Sequence, residues 1–166
     1  MNKREYLKKL SLKNPWHLLA LGFGSGLAPI APGTFGSLAA IPFCYELMFL
    51  DVKFQLFIVI LSFLSGIRAC QRAEDAMGIH DHGAIVFDEF VGMFIAVIAL
   101  PATLTSLVLA FVFFRIFDIL KPFPISFLDK KVKGGLGIML DDVLAGIFAL
   151  ISVHAIYYGY SLYFAQ

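Results

Sequence analysis

The chain has 166 residues and a net charge of +1; 60% of its residues are hydrophobic, only 15% are charged, and the mean hydropathy is +0.85. Soluble domains usually carry about 25% charged residues, so this composition argues against an ordinary soluble protein. The lipid bilayer is instead predicted to form part of its solvent. The length allows one domain, 1–166, and is too short for two. No nucleic-acid partner is predicted.

The chain begins with a basic stretch, 1–13, and continues into a glycine- and proline-rich segment, 22–37. This segment is not a nucleotide-binding phosphate loop, because no Gly-Lys-Ser/Thr follows it. It is predicted either as a flexible loop or as an irregular re-entrant or interfacial element. In the second case its backbone amides and Thr34 would bind phosphate oxygens.

Apolar segments follow and are predicted to be helical: 36–50, 54–67, 90–100, 104–117 and 143–164. Only the last of them exceeds the roughly 20 residues that usually span a bilayer. Short breaks at 51–53 and 101–103 join the others in pairs, which indicates two helical hairpins followed by a single helix. The predicted fold is all-α, a small polytopic membrane bundle of about five spans. A compact bundle that enters the bilayer only in part is the alternative.

Lysine and arginine residues cluster in three parts of the chain, 1–13, 68–89 and 121–142. Cytoplasmic loops of membrane proteins carry an excess of these residues, so all three parts are predicted to be cytoplasmic. The two hairpin turns and the C-terminus then lie on the far side of the membrane. Every acidic, basic or glycine-rich motif falls on the cytoplasmic side.

Two pairs of neighbouring acids, Asp88–Glu89 and Asp141–Asp142, stand where a polar loop meets an apolar segment. Helix capping is one explanation, since acids in a first turn suit the helix dipole and its free amides. Capping needs only one acid, however, and Gly92 and 145–146 follow at helical spacing, where small side chains would leave room beside the carboxylates. Converging carboxylates repel each other unless a cation lies between them, and hard oxygen ligands select Mg²⁺ or Ca²⁺ rather than zinc. All four acids are therefore predicted to be catalytic and to bind Mg²⁺, which suits phosphoryl chemistry. Asp118 is also predicted to be catalytic and is a possible further ligand.

Arg115, Asp118 and Lys121 are spaced by three residues and so lie on one face of a helix, which the following proline is predicted to end. This charged stripe either extends to the membrane interface or forms a cradle in which Arg115 and Lys121 bind phosphate. Lys133 follows in a basic, glycine-rich stretch, 129–137. Its charge either sets the topology or adds to phosphate binding, and the glycines allow a ligand to approach the backbone closely.

These residues make the chain resemble the phosphatidylglycerophosphatase A family over nearly its whole length, 14–146. The resemblance is carried by motifs in the family's order: 31–37 (APGTFGS), 85–92 (IVFDEFVG), 114–118 (FRIFD) with 121–125 (KPFPI), and 134–142 (GGLGIMLDD). It implies a bacterial inner-membrane enzyme of phospholipid biosynthesis. It further implies that the substrate is phosphatidylglycerophosphate, that the products are phosphatidylglycerol and inorganic phosphate, and that Mg²⁺ is required.

No signature of a nucleophilic phosphatase is present in the sequence, neither Asp-x-Asp-x-Thr nor a thiolate loop nor a paired histidine motif. Direct attack by a metal-activated water, whose proton passes to a carboxylate, is therefore the favoured mechanism; a covalent aspartyl-phosphate is the alternative. A small membrane transporter or channel with a carboxylate-lined path is the alternative function. That function expects charges near the middle of the membrane, whereas these acids stand at the entrances of apolar segments. A non-catalytic membrane scaffold would not need paired acids together with glycine-rich loops.

Overall fold

The computed structural model describes residues 3–79 and 82–164, and these ranges contain helices and connecting segments with no strand. The prediction of an all-α fold is confirmed. In these ranges the α-helices are α1 (Lys3–Leu7), α2 (Pro15–Ala20), α3 (Pro32–Leu47), α4 (Val52–Met77), α5 (Phe87–Ala96), α6 (Leu104–Leu120), α7 (Ile125–Lys131) and α8 (Gly134–Phe164). A 3-10 segment, Gly22–Leu27, lies between α2 and α3.

The predicted apolar segments lie largely on α3, α4, α5, α6 and α8. By length and composition, two of the described helices could cross a membrane: α4, and α8 over Gly134–Tyr163. Helices α3, α5 and α6 contain 16, 10 and 17 residues. At about 1.5 Å per residue they are shorter than a hydrocarbon core of about 30 Å. Helix α5 is also enclosed by protein, since nine of its residues are buried. The prediction of about five spans is therefore not confirmed.

Helices α5 and α8 cross in close contact at Gly92 and Gly146. A Cβ atom on Gly92 would lie 2.9 Å from the carbonyl oxygen of Asp142, and one on Gly146 would lie 2.5 Å from the carbonyl oxygen of Gly92. These small residues do not leave the space beside the carboxylates that their spacing predicts. They let the two backbones meet, and this contact brings the acid pairs of α5 and α8 together.

Gly146→Ala should destabilise the protein by about 1–3 kcal/mol, because the added methyl group has no space between α5 and α8. Gly159→Ala is the matched control, since Gly159 lies in the same helix and no atom lies within 4 Å of an added Cβ. There the better helix propensity of alanine should stabilise the protein by up to about 1 kcal/mol. Unfolding in detergent, followed by circular dichroism, measures both changes. Equal stability of Gly146→Ala and wild type would contradict the close crossing.

The first part of the glycine-rich segment, 22–31, is irregular and packs against the residues that lead into α5, whereas its last residues, 32–37, begin α3. Phe23 and Gly24 have left-handed backbone angles, with φ of 57° and 104°. A Cβ atom on Gly26 would collide with the carbonyl oxygen of Ala84. These contacts fix the approach to the first turn of α5, which carries the first acid pair. The re-entrant or interfacial placement of the segment stays a prediction.

The glycines at 134–137 lie at the start of α8 instead of in an open loop, and Gly134 and Gly135 pack against α4. The backbone N–H of Gly135 donates to the side-chain oxygen of Gln71 at 2.8 Å. A Cβ atom on Gly135 would lie 2.7 Å from the backbone nitrogen of Gln71. The close approach that these glycines allow is thus an approach to another helix.

Candidate active site

Three carboxylates from α6 and α8 form a compact group. Asp118, Asp141 and Asp142 each offer one oxygen atom, and these atoms all lie within 4.8 Å of one another. Helix α8 begins at Gly134, so its acid pair lies about two turns inside the helix. Capping therefore does not explain this pair.

Two oxygen atoms of this group, Oδ1 of Asp141 and Oδ2 of Asp142, are buried and have no hydrogen-bond partner. Asp142 is only 3% exposed, and the charges of Glu89, Asp88, Asp118 and Asp141 all act on it. Buried carboxylate oxygens without partners are unfavourable, and neighbouring negative charges add to the penalty. Three clustered carboxylates, two of which have an unsatisfied oxygen, fit a hard divalent cation such as Mg²⁺.

Glu89 and Arg115 form a buried ion pair beside the three carboxylates. Nη1 of Arg115 lies 2.5 Å from Oε2 of Glu89 and 2.9 Å from Oδ2 of Asp118. The hydroxyl of Ser37 donates to the same oxygen of Glu89 at 2.8 Å and accepts from Arg115 at 3.2 Å. Helix α3 can approach because Gly33 lacks a side chain, and a Cβ atom there would collide with Glu89. The charged stripe of α6 thus joins an inward-facing network.

The pKa of Glu89 reflects this crowded setting. Burial raises it to about 7 and the charge of Asp118 adds to the rise, although Arg115 and Ser37 oppose it. A carboxyl group with such a pKa can hold or release a proton near neutral pH.

Arg115 keeps a donor that the ion pairs do not use. Its Nη1 atom makes the contacts to Glu89, Asp118 and Ser37, whereas its Nε atom is buried and has no hydrogen-bond partner. A buried donor without an acceptor is uncommon in folded proteins. The oxygens of a phosphate group are acceptors that match the guanidinium fork well.

Lys121 links α6, α7 and α8. It follows the last residue of α6 with a left-handed backbone, φ 42°, so the helix ends before the proline as predicted. Its Nζ atom donates to Asp129 at 2.9 Å and to Asp141 at 2.6 Å. Burial alone would lower the pKa of Lys121, but the hydrogen bonds to Asp141 and Asp129 outweigh it and raise the pKa. Lys121 therefore stays positively charged.

The three-carboxylate group differs from the predicted ligand set. Asp118, the possible further ligand, is a full member of the group, whereas Glu89 is held by Arg115 and Ser37. Asp88 lies in the first turn of α5, near enough to α8 for its charge to act on Asp142.

The structure brings most of the predicted site residues together: Asp88, Glu89, Arg115, Asp118, Lys121, Asp141 and Asp142. Thr34 lies in the first turn of α3, next to the glycine that abuts Glu89. Lys133 is exposed and lines a different groove, together with Arg68 and Arg72. None of the clustered acids lines that groove.

Two residues of the site, Ser37 and Asp129, are absent from the sequence-based prediction. Ser37 is one of several hydroxyls in the glycine-rich segment and has no distinguishing position there. Asp129 is a single acid beside Lys130 and Lys131, and nothing in the local sequence indicates its contact with Lys121. One local signal lies near Ser37: Gly33 and Gly36 are three positions apart, and both pack tightly against neighbouring residues.

Comparison with known proteins identifies the relatives of this chain. The family model described as Phosphatidylglycerophosphatase A matches residues 18–157. The chain is 52% identical over 142 residues to Phosphatidylglycerophosphatase A of Escherichia coli (strain K12), covering 85% of this chain and 83% of the relative. It is 54% identical over 160 residues to Phosphatidylglycerophosphatase A of Haemophilus influenzae, covering 95% of this chain and 98% of the relative. No solved structure matches it.

Proposed function

The chain belongs to the phosphatidylglycerophosphatase A family and is an enzyme, a phosphatase; from that membership we propose that it hydrolyses phosphatidylglycerophosphate to phosphatidylglycerol and inorganic phosphate in bacterial phospholipid biosynthesis. One observation carries the proposal. Buried oxygens of Asp141 and Asp142 that lack partners lie in the same site as a buried donor of Arg115 that lacks an acceptor. Such a site suits a cation and a phosphate group together. The transporter or channel alternative has no comparable support.

Mg²⁺ is assigned to Asp118, Asp141 and Asp142, the three carboxylates whose oxygens are closest together. Asp88 and Glu89, the other predicted ligands, flank this group. When bound, the ion neutralises negative charge and polarises the phosphoryl group of the substrate.

Arg115 and Lys121 bind the oxygens of the terminal phosphate and reduce its negative charge, which favours attack by water. The water oxygen forms a bond to phosphorus while the bond from phosphorus to the glycerol oxygen breaks. A carboxylate of the cluster accepts a proton of the water, and the released glycerol oxygen takes up a proton to become the hydroxyl of phosphatidylglycerol. Thr34 is a further proposed donor to the phosphate, because the first turn of α3 reaches Glu89 at the preceding residue. We assign Lys133 no part in this step, because its side chain lines another groove.

Purified protein in detergent should release inorganic phosphate from phosphatidylglycerophosphate when Mg²⁺ is present. Activity should vanish in EDTA and return when Mg²⁺ is restored, because the clustered carboxylates repel each other and the substrate without a cation. Phosphatidylglycerol serves as the control lipid, since it lacks the terminal phosphate. Full activity after exhaustive treatment with EDTA would refute the metal site, whereas no release with any divalent metal would refute the function.

The proposed location is the bacterial inner membrane, crossed more than once, with the active site on the cytoplasmic side. The two long apolar helices α4 and α8 support it. The basic stretches at 1–13, 68–89 and 121–142 support the orientation, because such stretches remain in the cytoplasm.

Single cysteines test this orientation in sealed cells. Both native cysteines, Cys44 and Cys70, are buried, so labels should report the introduced sites Thr105→Cys and Lys130→Cys, which are exposed. An impermeant maleimide should label position 105 in intact cells and position 130 only after the cells are permeabilised. The reverse pattern would overturn the proposed orientation.

A further inference from the structure

A second polar groove lies between α2, α4 and the start of α8, and none of the clustered acids lines it. It encloses about 870 Å³. Its polar and aromatic lining includes Trp16, Arg68, Gln71, Arg72, Asp75 and Lys133. Phosphate hydrolysis as proposed above uses none of these side chains.

The groove carries excess positive charge. Arg68 and Lys133 are exposed, and the guanidinium of Arg72 lies over the ring of Trp16, 5.1 Å from its centroid. Among the described residues of the lining, Asp75 is the one acid, and it accepts a hydrogen bond from Gln71 at 2.9 Å. Three cations against one acid favour an anion in this space.

The exposed face of α4 continues from this groove as an apolar strip. Phe57, Leu61 and Leu64 are 63%, 56% and 60% exposed, and they share one helix face with Arg68 and Arg72, because the five residues are spaced by three or four positions. An apolar strip that ends in two arginines matches the shape of a phospholipid, with its acyl chain along the strip and its phosphate at the arginines. Trp16 lies beside Arg72, where the apolar strip meets the arginines. Tryptophan is common in membrane proteins at the interface between lipid and water.

We propose that this groove is a binding site for the phosphate group of an anionic phospholipid, separate from the site of hydrolysis. The proposal rests on the proposed membrane location. It does not depend on the proposed hydrolysis of phosphatidylglycerophosphate. If the arginines only extended to the membrane interface, lipid binding would not saturate and would show no preference among head groups.

Trp16 is the only tryptophan of the chain and therefore reports on the groove directly. Phosphatidylglycerol with brominated acyl chains, titrated into detergent micelles that hold the protein in EDTA, should quench Trp16 fluorescence to saturation. Brominated phosphatidylcholine should quench it weakly and without saturation. Millimolar inorganic phosphate should not displace the lipid, because it lacks acyl chains to contact the apolar strip. Displacement by phosphate would identify a free-phosphate site and overturn the lipid assignment.

Paired variants separate the groove from general charge effects. Arg68→Gln with Lys133→Gln should raise the half-saturating lipid fraction by about 10- to 30-fold, as expected for two lost basic contacts. Lys130→Gln with Lys131→Gln removes the same charge from α7, outside the groove lining, and should leave binding unchanged. Arg68→Lys with Lys133→Arg keeps the charge and should retain binding.

Saturation of the Arg68→Gln/Lys133→Gln variant at the wild-type lipid fraction, or equal quenching by phosphatidylcholine, would refute the site. Phosphate release is measured separately on the same preparations. A protein that binds lipid in the groove without hydrolysing substrate would therefore refute only the proposed function, and the opposite result would refute only this inference.

Discussion

Asp142→Asn should lower the rate of phosphate release at least about a hundredfold, since a catalytic metal contributes several kcal/mol to the transition state and each 1.4 kcal/mol is a factor of ten. Asparagine keeps the shape of the side chain but loses the negative charge that binds the cation. The site is sensitive to this loss because Asp142 is buried and its Oδ2 atom has no other partner.

The same variant should behave differently in stability. Without metal, its melting temperature should equal or exceed that of wild type, because a buried negative charge among other acids is removed. The rise in melting temperature on adding Mg²⁺ should shrink, since that rise comes from binding to the folded state. Asp51→Asn is the control: Asp51 is exposed, and its side chain makes no capping hydrogen bond to α4. Retention of both the rate and the Mg²⁺ response in Asp142→Asn would move the metal site elsewhere.

The helices could be predicted from sequence because apolar runs are local, but their ends could not. The predicted segment 54–67 continues as α4 to Met77. The added turns carry charged residues, and they remain helical because Ala69, Ala73 and Met77 pack into the core at helical spacing. An average hydropathy misses such an amphipathic extension. It also misses the start of α8, where glycines packed against α4 replace apolar side chains.

The candidate site was predictable as far as its residues stand in marked local patterns. Paired acids and a stripe with a spacing of three identify most of the cluster before any fold is known. The partners that complete it are distant in sequence: Ser37 bonds to Glu89 across 52 positions, and Lys121 to Asp141 across 20. Lys133 stands next to the glycine motif in sequence, but its side chain lines the groove between α2, α4 and α8. Its role in phosphate binding stays a prediction.

Arg115→Gln should have the largest combined effect, abolishing measurable phosphate release and destabilising the fold by about 3–5 kcal/mol. The side chains of Arg115 and Glu89 are only 15% and 10% exposed. Removing the cation leaves Glu89 and Asp118 without their partner in a poorly hydrated site. Unfolding in detergent measures the loss of stability, and an assay of phosphate release measures the loss of activity.

A second substitution separates the two roles of Arg115. In the double variant Glu89→Gln/Arg115→Gln, both members of the ion pair are neutral, so no charge of that pair remains buried alone and most of the lost stability should return. Activity should not return, because the donor proposed to bind the substrate phosphate is still missing. The matched single variant Glu89→Gln leaves Arg115 in place and should keep more activity than the double variant at similar stability. If the double variant instead recovered phosphate release together with stability, Arg115 would be a structural partner of Glu89 alone, and the phosphate would have to be bound by Lys121 and other donors.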